Sequence, residues 1–314
     1  VLALSTCANT LIVSAFQGLV LRPAPQVPQD PAHALVWMRE RPAPTARWRL
    51  IDLTGTQLGQ LAERGETFAS VAAWREDYAI VAAGEGAGAG AENAPVTFVS
   101  PNYFATLGVP LAHGRDLLPR NDASADLSAV MAEVHAERLF ASAAGAIGKR
   151  VLVNKVPVEI VGIAPRRFRG AERDDVEPML FIPLSARSDL TGSDPRWMDD
   201  ERSLRVFARL ARGVSFERAT AVAQQVAMAT LPDSAARVGM TRMTEVRHLG
   251  AVPPWDEGEE LILIFSLLAA LGVLILLVGW MNVSSLMVSS AMARRQEIAV
   301  RLALGATRGR IIRQ

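Results

Sequence analysis

Side chains that could support catalysis or bind a metal are few and scattered in this 314-residue chain. Metal sites usually place a second histidine or cysteine a few residues from the first, and none of the four histidines has such a neighbour. No serine stands in a G-x-S-x-G turn, and the single cysteine, Cys7, permits no intrachain disulfide. The histidines are His33, His113, His135 and His248. These residues predict no catalytic group and no metal site, and we expect that the protein is not an enzyme.

A glycine-rich stretch, "GEGAGAGA" at 84–91, contains Gly86-x-Gly88-x-x-Ala91, a loose form of the dinucleotide fingerprint. That fingerprint requires a helix directly after it, because the helix N-terminus holds the pyrophosphate. Here the next segment, "APVTFVS", alternates as a strand does. Since the chain also lacks G-x-x-x-x-G-K-[ST], we expect no cofactor and no ATP hydrolysis by a P-loop. No basic groove with interleaved aromatic residues is visible, so nucleic-acid binding has no support.

Residues 294–314, "RRQEIAVRLALGATRGRIIRQ", contain six arginines and one glutamate, a net charge of +5. Glu297 and Arg301 are four residues apart in the order that favours a helix, and Ile298 and Leu302 form an apolar pair on the same helix. Gly305 is a natural end for that turn. The pattern predicts an amphipathic helix that contacts either anionic lipid or a groove of a cytoplasmic protein. The small residues and the helix end favour the protein contact.

A run without any charged residue extends from Leu261 to Ala293 and precedes this motif. Its most apolar part, Leu261 to Val288, exceeds the roughly 20 residues that a membrane-spanning helix needs. Acidic residues precede the run and arginines follow it, so the positive-inside rule predicts that the arginines are cytoplasmic. Residues 23–260 carry a net charge of about −5, which agrees with their being outside.

Small and polar residues in this run recur near one face at helical spacing. They are Gly272, Gly279, Asn282, Ser285 and Ser289. Small residues let helices approach closely, and asparagine or serine can hydrogen-bond across the contact, so this face is predicted to pack on another membrane helix. The alternative is chance placement of these residues near the inner interface.

The first 21 residues are also uncharged and end at Arg22 and Pro23. They lack an initiator methionine and a basic start, which a cleaved signal peptide would have. We interpret them as the last part of a membrane helix, with an ordinary buried helix as the alternative. On this interpretation the chain is a fragment of a larger membrane protein.

Between the two apolar segments the pattern predicts a mixed domain. "KRVLVNKVPVEIVGIAP" predicts a hairpin that turns at Asn154-Lys155, and "LSAVMAEVHAERLF" predicts a strand that leads into a helix. A helix is expected after Ser215. Another helix is predicted from the spacing of Leu58, Leu61, Ala62, Phe68 and Val71. Because strands and helices alternate without a strict βαβ period, the predicted class is α+β.

Several segments resemble ABC transporter permeases of the MacB/FtsX type. "RRQEIAVRLALGATRGRIIRQ" resembles the cytoplasmic segment after their second membrane helix, and "TLIVSAFQGLVLRPAP" is similar to the end of the first. "VSPNYFATLGVPLAHGRDLL", "AIGKRVLVNKVPVEIVGIAPRRFRG" and "VFARLARGVSFERA" resemble the MacB-like periplasmic core domain. The resemblance covers nearly the whole chain and is strongest to large duplicated permeases, which often lack an adjacent ATPase.

The resemblance implies an organisation in the bacterial inner membrane. Residues 1–21 would be the first transmembrane helix, truncated at its start, and residues 259–290 the second. Residues 22–258 would be a periplasmic α+β domain of a βαβ-like subdomain and a small strand-rich one at 112–195. Residues 291–314 would be a cytoplasmic coupling segment that is truncated at its end.

The resemblance also implies a function, that of a permease subunit. ATP hydrolysis by a separate cytoplasmic subunit would move the periplasmic domain, for export or for mechanical signalling across the envelope. The residues expected to contact the ATPase are Glu297, Ile298, Arg301, Leu302 and Gly305. Other expected partners are a second permease copy or half, the lipid bilayer and periplasmic proteins. The alternative is a membrane-anchored extracytoplasmic binding or sensor module without an ATPase.

Overall fold

In the computed structural model the chain forms two compact units. One unit is Pro23–Pro253, and the other combines Val1–Arg22 with Pro254–Gln314. The residues that the structure describes are 10, 14, 27–28, 30–83, 90–118, 127–171, 177–232, 234–235, 239–249 and 256–303.

A mixed β-sheet forms the centre of the unit Pro23–Pro253. In the described part of the chain its strands are β1 His33–Arg41, β2 Arg49–Ile51, β3 Phe68–Ala83, β4 Glu92–Val99, β5 His113–Gly114, β6 Ser128–Ala132, β7 Arg150–Val153, β8 Val156–Ala164, β9 Leu180–Pro183, β10 Arg205–Leu210 and β11 Thr241–His248. Their order is β11-β1-β10-β3-β4-β9-β6-β8-β5, with β2 paired to β1 and β7 paired to both β3 and β8. The pairs β4–β9 and β6–β8 are parallel and the other pairs are antiparallel.

Helices cover both faces of this sheet. They are α1 Gly55–Ala62, α2 Tyr103–Leu107, α3 Glu133–Phe140, α4 Arg187–Thr191, α5 Trp197–Asp200 and α6 Phe216–Ala229, and α7 Asp256–Ala303 belongs to the other unit. Two of these helices have side-chain caps at their N-termini. Thr54 and Gln57 form a capping box at α1, and the Ser215 hydroxyl accepts from the Arg218 N–H at α6. The mixed sheet with its helices confirms the predicted α+β class.

The prediction that helical spacing continues to Phe68 and Val71 is wrong, because both residues lie in β3. α1 ends at Ala62, and the Phe68 N–H donates to the Arg64 carbonyl at the start of the strand. Between the pairs Arg209↔Ser70 and Leu210↔Phe68 the register shifts, so β3 carries one extra residue there. This bulge turns Phe68 to the same apolar core as Val71, although the two are three residues apart. A β-bulge therefore produces the spacing expected of a helix.

Two apolar layers enclose the sheet. One layer packs against α1, α3 and α6, as shown by buried Leu61, Ala136 and Val226. On the opposite face α2 covers an aromatic cluster, which consists of Tyr103, Phe104, Phe168, Phe181 and Phe207. The sequence pattern along β6 agrees with this division, because Met131 belongs to the first layer and Val130 to the second.

The predicted hairpin at Asn154-Lys155 is confirmed. Strands β7 and β8 pair directly across it, with Val153 opposite Val156. Both turn residues have positive φ angles, 48° at Asn154 and 73° at Lys155, as a two-residue hairpin turn of type I′ requires. The Asn154 side chain also accepts from the Ile80 N–H and donates to the Leu190 carbonyl, which joins the turn to β3.

Lys155→Gly is expected to raise the free energy of unfolding by about 0.5–1 kcal/mol, because glycine adopts this left-handed conformation without a Cβ penalty. Urea unfolding of both chains measures the difference. Lys149→Gly is the matched control: Lys149 is also exposed but has an ordinary φ, so this change should be neutral or destabilising. Equal effects of the two substitutions would contradict the role assigned to the turn.

Candidate functional site

Helix α7 is the described element best suited to crossing a membrane. Its apolar span, Ser266–Met292, has 27 residues and a mean hydropathy of 2.2. Only 11 % of the span is buried within the protein, so its apolar side chains are exposed rather than enclosed in a core. The whole helix has 48 residues, or about 72 Å at about 1.5 Å per residue, against a hydrocarbon core of about 30 Å. A helix of this length extends beyond a bilayer.

Two glycines mark the covered face of α7. Gly272 and Gly279 are buried, and Leu276 and Val283 are partly buried, whereas their neighbours along the span are exposed. Positions 272, 276, 279 and 283 fall on one side of a helix with 3.6 residues per turn. The side chains of Asn282, Ser285 and Ser289 are exposed. The structure therefore groups the two glycines and separates them from the three polar residues.

The polar residues and the glycines were expected to share one packing face. Within the described residues only the glycine side is covered, and it is shared with Leu276 and Val283 rather than with Ser285. At about 100° per residue, Ser285 lies roughly 140° away from the centre of that side. A helix-packing role for the whole set stays a prediction.

The arginine-rich end of α7 continues the same helix without a break as far as Ala303. Arg294 and Arg295 are exposed on it. Glu297, Ile298, Arg301 and Leu302 have helical backbones in its last turns, whereas Gly305 lies outside the described residues. The membrane-length span and the predicted coupling residues other than Gly305 are thus parts of one helix.

In the other unit, the first and last described strands are paired. The first strand, β1, pairs with the last strand, β11, from Ala34↔His248 to Arg41↔Thr241. Beyond the paired residues the Leu249 N–H donates to the His33 carbonyl over 3.0 Å. The two strands are therefore joined along their length.

A buried carboxylate holds these outer strands together. Glu40 of β1 is fully buried and contacts Arg49 of β2 at 3.1 Å, Arg242 of β11 at 3.3 Å, and Arg202. Arg242 is itself buried and also donates to the carbonyls of Ala227 and Thr230 at the C-terminal end of α6. The contacts of Glu40 join residues 9, 162 and 202 positions apart, so no local sequence signal identifies them.

The charges of this cluster compensate one another. Burial raises the pKa of Glu40, but the hydrogen bonds and charges of the three arginines outweigh burial and hold the pKa below its usual value. Burial, together with the charge of Arg202, lowers the pKa of Arg242 despite the nearby carboxylate. The cluster is an anchor between β1, β2, β11 and α6 and offers no free group for catalysis.

The outer edge of β11 is closed by side chains of α6. The Gln224 amide accepts from the Thr244 N–H and donates to the Arg242 carbonyl, both over 2.8 Å, as a neighbouring strand would. The Thr220 hydroxyl accepts from the Val246 N–H over 3.0 Å. These bonds satisfy backbone groups that would otherwise be open to another strand.

Gln224→Ala is expected to lower the free energy of unfolding by about 1–3 kcal/mol, because it leaves two backbone groups of β11 without partners. The opened edge should also promote self-association that increases with protein concentration. Chemical unfolding and light scattering measure the two effects. Gln225→Ala removes an exposed amide from the same helix and should change neither quantity.

Neither a metal cluster nor the dinucleotide fold is seen in the described part of the chain. No group of three His, Cys, Asp or Glu side chains in these ranges could hold a metal ion. Residues 84–89 of the glycine-rich stretch lie outside the described residues. After Gly90 the chain forms strand β4 from Glu92, so a strand follows where a dinucleotide site would need a helix.

The chain is similar to a known domain family and to curated export proteins. Residues 1–226 match the model of the MacB-like periplasmic core domain. The macrolide export ATP-binding/permease protein MacB of Chromobacterium violaceum is 26 % identical over 223 residues, which cover 71 % of this chain and 32 % of that protein. The pyoverdine export ATP-binding/permease protein PvdT of Pseudomonas aeruginosa is 26 % identical over 211 residues, which cover 66 % of this chain and 29 % of that protein. The chain spans about a third of the length of these curated relatives.

A solved domain shows that the fold is shared. It comes from a Porphyromonas gingivalis protein designated a permease, with a TM-score of 0.53, 11 % identity, and coverage of 77 % of this chain and 99 % of that domain. At this identity the likeness concerns fold alone. Because the family model matches far more than half of the residues, the chain belongs to the MacB-like periplasmic core domain family of ABC transporter permeases.

Proposed function

We propose that the chain is part of a permease subunit that couples ATP hydrolysis by a separate cytoplasmic ATPase to movement of its periplasmic domain. The observation that carries the proposal is the continuity of α7. One helix runs from Asp256 through the apolar span to Arg294, Arg295 and Ala303. Because an unbroken helix moves as a rod, displacement of its arginine-rich end would tilt or shift the opposite end.

Charge supports an orientation for this helix. Its first turn carries acidic residues and its last turns carry arginines, so the positive-inside rule favours a cytoplasmic end at Ala303. We therefore propose membrane segments at 1–21 and 259–290, a periplasmic domain at 22–258 and a cytoplasmic segment at 291–314. A strand-rich subdomain at 112–195 remains part of the proposal.

The ATPase contact is proposed to involve Glu297, Ile298, Arg301, Leu302 and Gly305. The pairs 297/301 and 298/302 are each four residues apart, which places each pair on one side of the helix that α7 forms there. An apolar pair beside a charged pair suits a groove with a complementary acidic rim. A second permease copy or half would complete the transporter, and periplasmic proteins would contact the domain.

The proposal assigns no catalytic step to this chain. Hydrolysis belongs to the ATPase subunit, and the relatives by name combine ATP-binding and permease functions. The cargoes in their names are a macrolide and pyoverdine. Large organic compounds presented on the periplasmic side are therefore the cargo class to test first.

Co-purification tests the ATPase contact. The complete gene product would be isolated from membranes with candidate nucleotide-binding subunits, with and without the double change Ile298→Asp and Arg301→Glu. The double variant should lose the ATPase subunit. Val300→Asp with Arg295→Glu makes the same change in charge at neighbouring exposed positions and should retain it.

The anchored-module alternative gives a different result. In that case no ATPase accompanies the wild-type protein, and the double variant changes only its affinity for vesicles that contain anionic lipid. Such a result would overturn the transporter proposal.

A further inference from the structure

A buried histidine begins β1, beside the end of β11. Only 2 % of the surface of His33 is exposed, and neither ring nitrogen makes a hydrogen bond with the described residues. Its backbone carbonyl accepts from the Leu249 N–H, and its backbone N–H donates to the Asp30 carbonyl over 2.9 Å. The ring is therefore buried where the start of β1 meets the end of β11.

Three elements surround this ring. The entering segment supplies Asp30, whose carboxylate pairs with Arg209 of β10 at 2.8 Å and accepts from the Ala32 N–H at 2.9 Å. Arg209 is also the cross-strand partner of His33. The carbonyls of Pro28 and Thr106 favour the charged form of the ring, and Thr106 belongs to α2.

Among the described residues, the other groups near the ring add no compensating charge. The Thr106 hydroxyl is buried without a hydrogen-bond partner among the described residues. On β11, His248 lies opposite Ala34, and its ring nitrogen Nδ1 is 2.7 Å from the Leu249 carbonyl. Asp30 is thus the acidic group that acts on His33, and Arg209 both neutralises it and repels a second positive charge.

We propose that His33 is a proton-sensitive latch, in which protonation of the buried ring releases residues 30–32 and α2 from the start of β1. The released ring can then reach water. The change loosens the start of β1, the first described strand of the domain. This device needs no ATPase and is independent of the proposed transport function.

The direction of the pH effect follows from burial. Burial lowers the pKa of His33 below its ordinary value of 6.5, and the opposing effects of Asp30 and the two carbonyls are smaller. The His33 ring therefore binds a proton more tightly when residues 30–32 and α2 are released than when they cover it. The closed state is therefore fully favoured above about pH 6.5 and is progressively lost as the pH falls below that value.

Hydrogen–deuterium exchange of the whole chain in lipid nanodiscs tests the latch at about pH 8 and about pH 5. After correction for intrinsic exchange, residues 30–33 and 103–108 should lose protection at the lower pH, by about tenfold for each unit of pKa depression. The amides of α6 should keep their protection. Unchanged exchange, or an equal loss across α6, would overturn the proposal.

Two variants identify the responsible group. His33→Phe keeps a buried ring that cannot be protonated and should abolish the pH response, and His33→Gln provides a second neutral side chain if the first folds poorly. His135→Gln, on α3, should leave the response unchanged. A response that persists in either His33 variant would assign it to another group and overturn the latch.

Discussion

Replacing Glu40 by alanine is expected to lower the free energy of unfolding of the domain by about 3–5 kcal/mol. The carboxylate is fully buried among Arg49, Arg202 and Arg242. Arg49 and Arg202 can turn toward water, since their side chains are 62 % and 30 % exposed, but that of Arg242 is only 3 % exposed. The loss arises mainly because the substitution leaves the Arg242 charge buried without its partner.

Urea unfolding monitored by tryptophan fluorescence measures this loss. Glu137→Ala is the matched control, because Glu137 pairs with Arg166 on the surface and should contribute less than about 1 kcal/mol. Glu40→Leu combined with Arg242→Met removes both charges and should cost less than Glu40→Ala alone. Equal losses for Glu40→Ala and Glu137→Ala would contradict the anchor role.

The Glu40 contribution should also depend on pH. Because the folded state holds the pKa of Glu40 below the reference value of 4.5, the carboxylate stabilises the domain above that pH. This contribution is lost as the pH falls below 4.5 and through the lower folded pKa. The wild-type chain should therefore lose more stability than Glu40→Ala over that acidic range.

The second large effect is expected from Phe181→Ala, which should lower the free energy of unfolding by about 3–5 kcal/mol. Phe181 is fully buried in β9, and its ring centre lies 5.3 Å from Phe104, 5.5 Å from Phe168 and 6.2 Å from Tyr103. Truncation leaves a cavity at the centre of the aromatic cluster. It also removes the surface on which α2 packs.

Two comparisons separate the cavity effect from a general effect of losing an aromatic ring. Phe181→Leu retains most of the apolar volume and should be markedly less destabilising than alanine. Tyr78→Ala removes an aromatic ring that is 57 % exposed and should change stability only slightly. Equal losses in Phe181→Ala and Tyr78→Ala would contradict the described packing.

Features set by adjacent residues could be predicted from the sequence. The turn at Asn154-Lys155, the start of α6 at Ser215 and the membrane-length span of α7 depend on local residue types and periodicity. The coupling residues were selected by the same local reasoning and by resemblance. Their role in contacting an ATPase stays a prediction.

Features made by distant pairs could not be predicted in this way. Two partners of Glu40 are on other strands and the third, Arg202, lies just before β10, and Gln224 hydrogen-bonds Thr244, 20 residues later, at the edge of β11. At Phe68 the local pattern was misleading, because a bulge in β3 produces helical spacing in a strand. The continuation of α7 into the arginine-rich segment, as far as Ala303, also depends on the whole helix rather than on any one motif.

The most direct test of ATPase coupling is a distance measurement in the reconstituted complete protein with its ATPase subunit. Spin labels would be attached to cysteines that replace exposed Tyr78 of the domain and exposed Leu263 of α7, in a background in which Cys7 and any other native cysteine is replaced by serine. We predict that ATP changes the distance between the labels, and that Ile298→Asp with Arg301→Glu abolishes the change. An identical distance distribution with and without ATP, in a sample where the ATPase is bound and active, would contradict the proposed coupling.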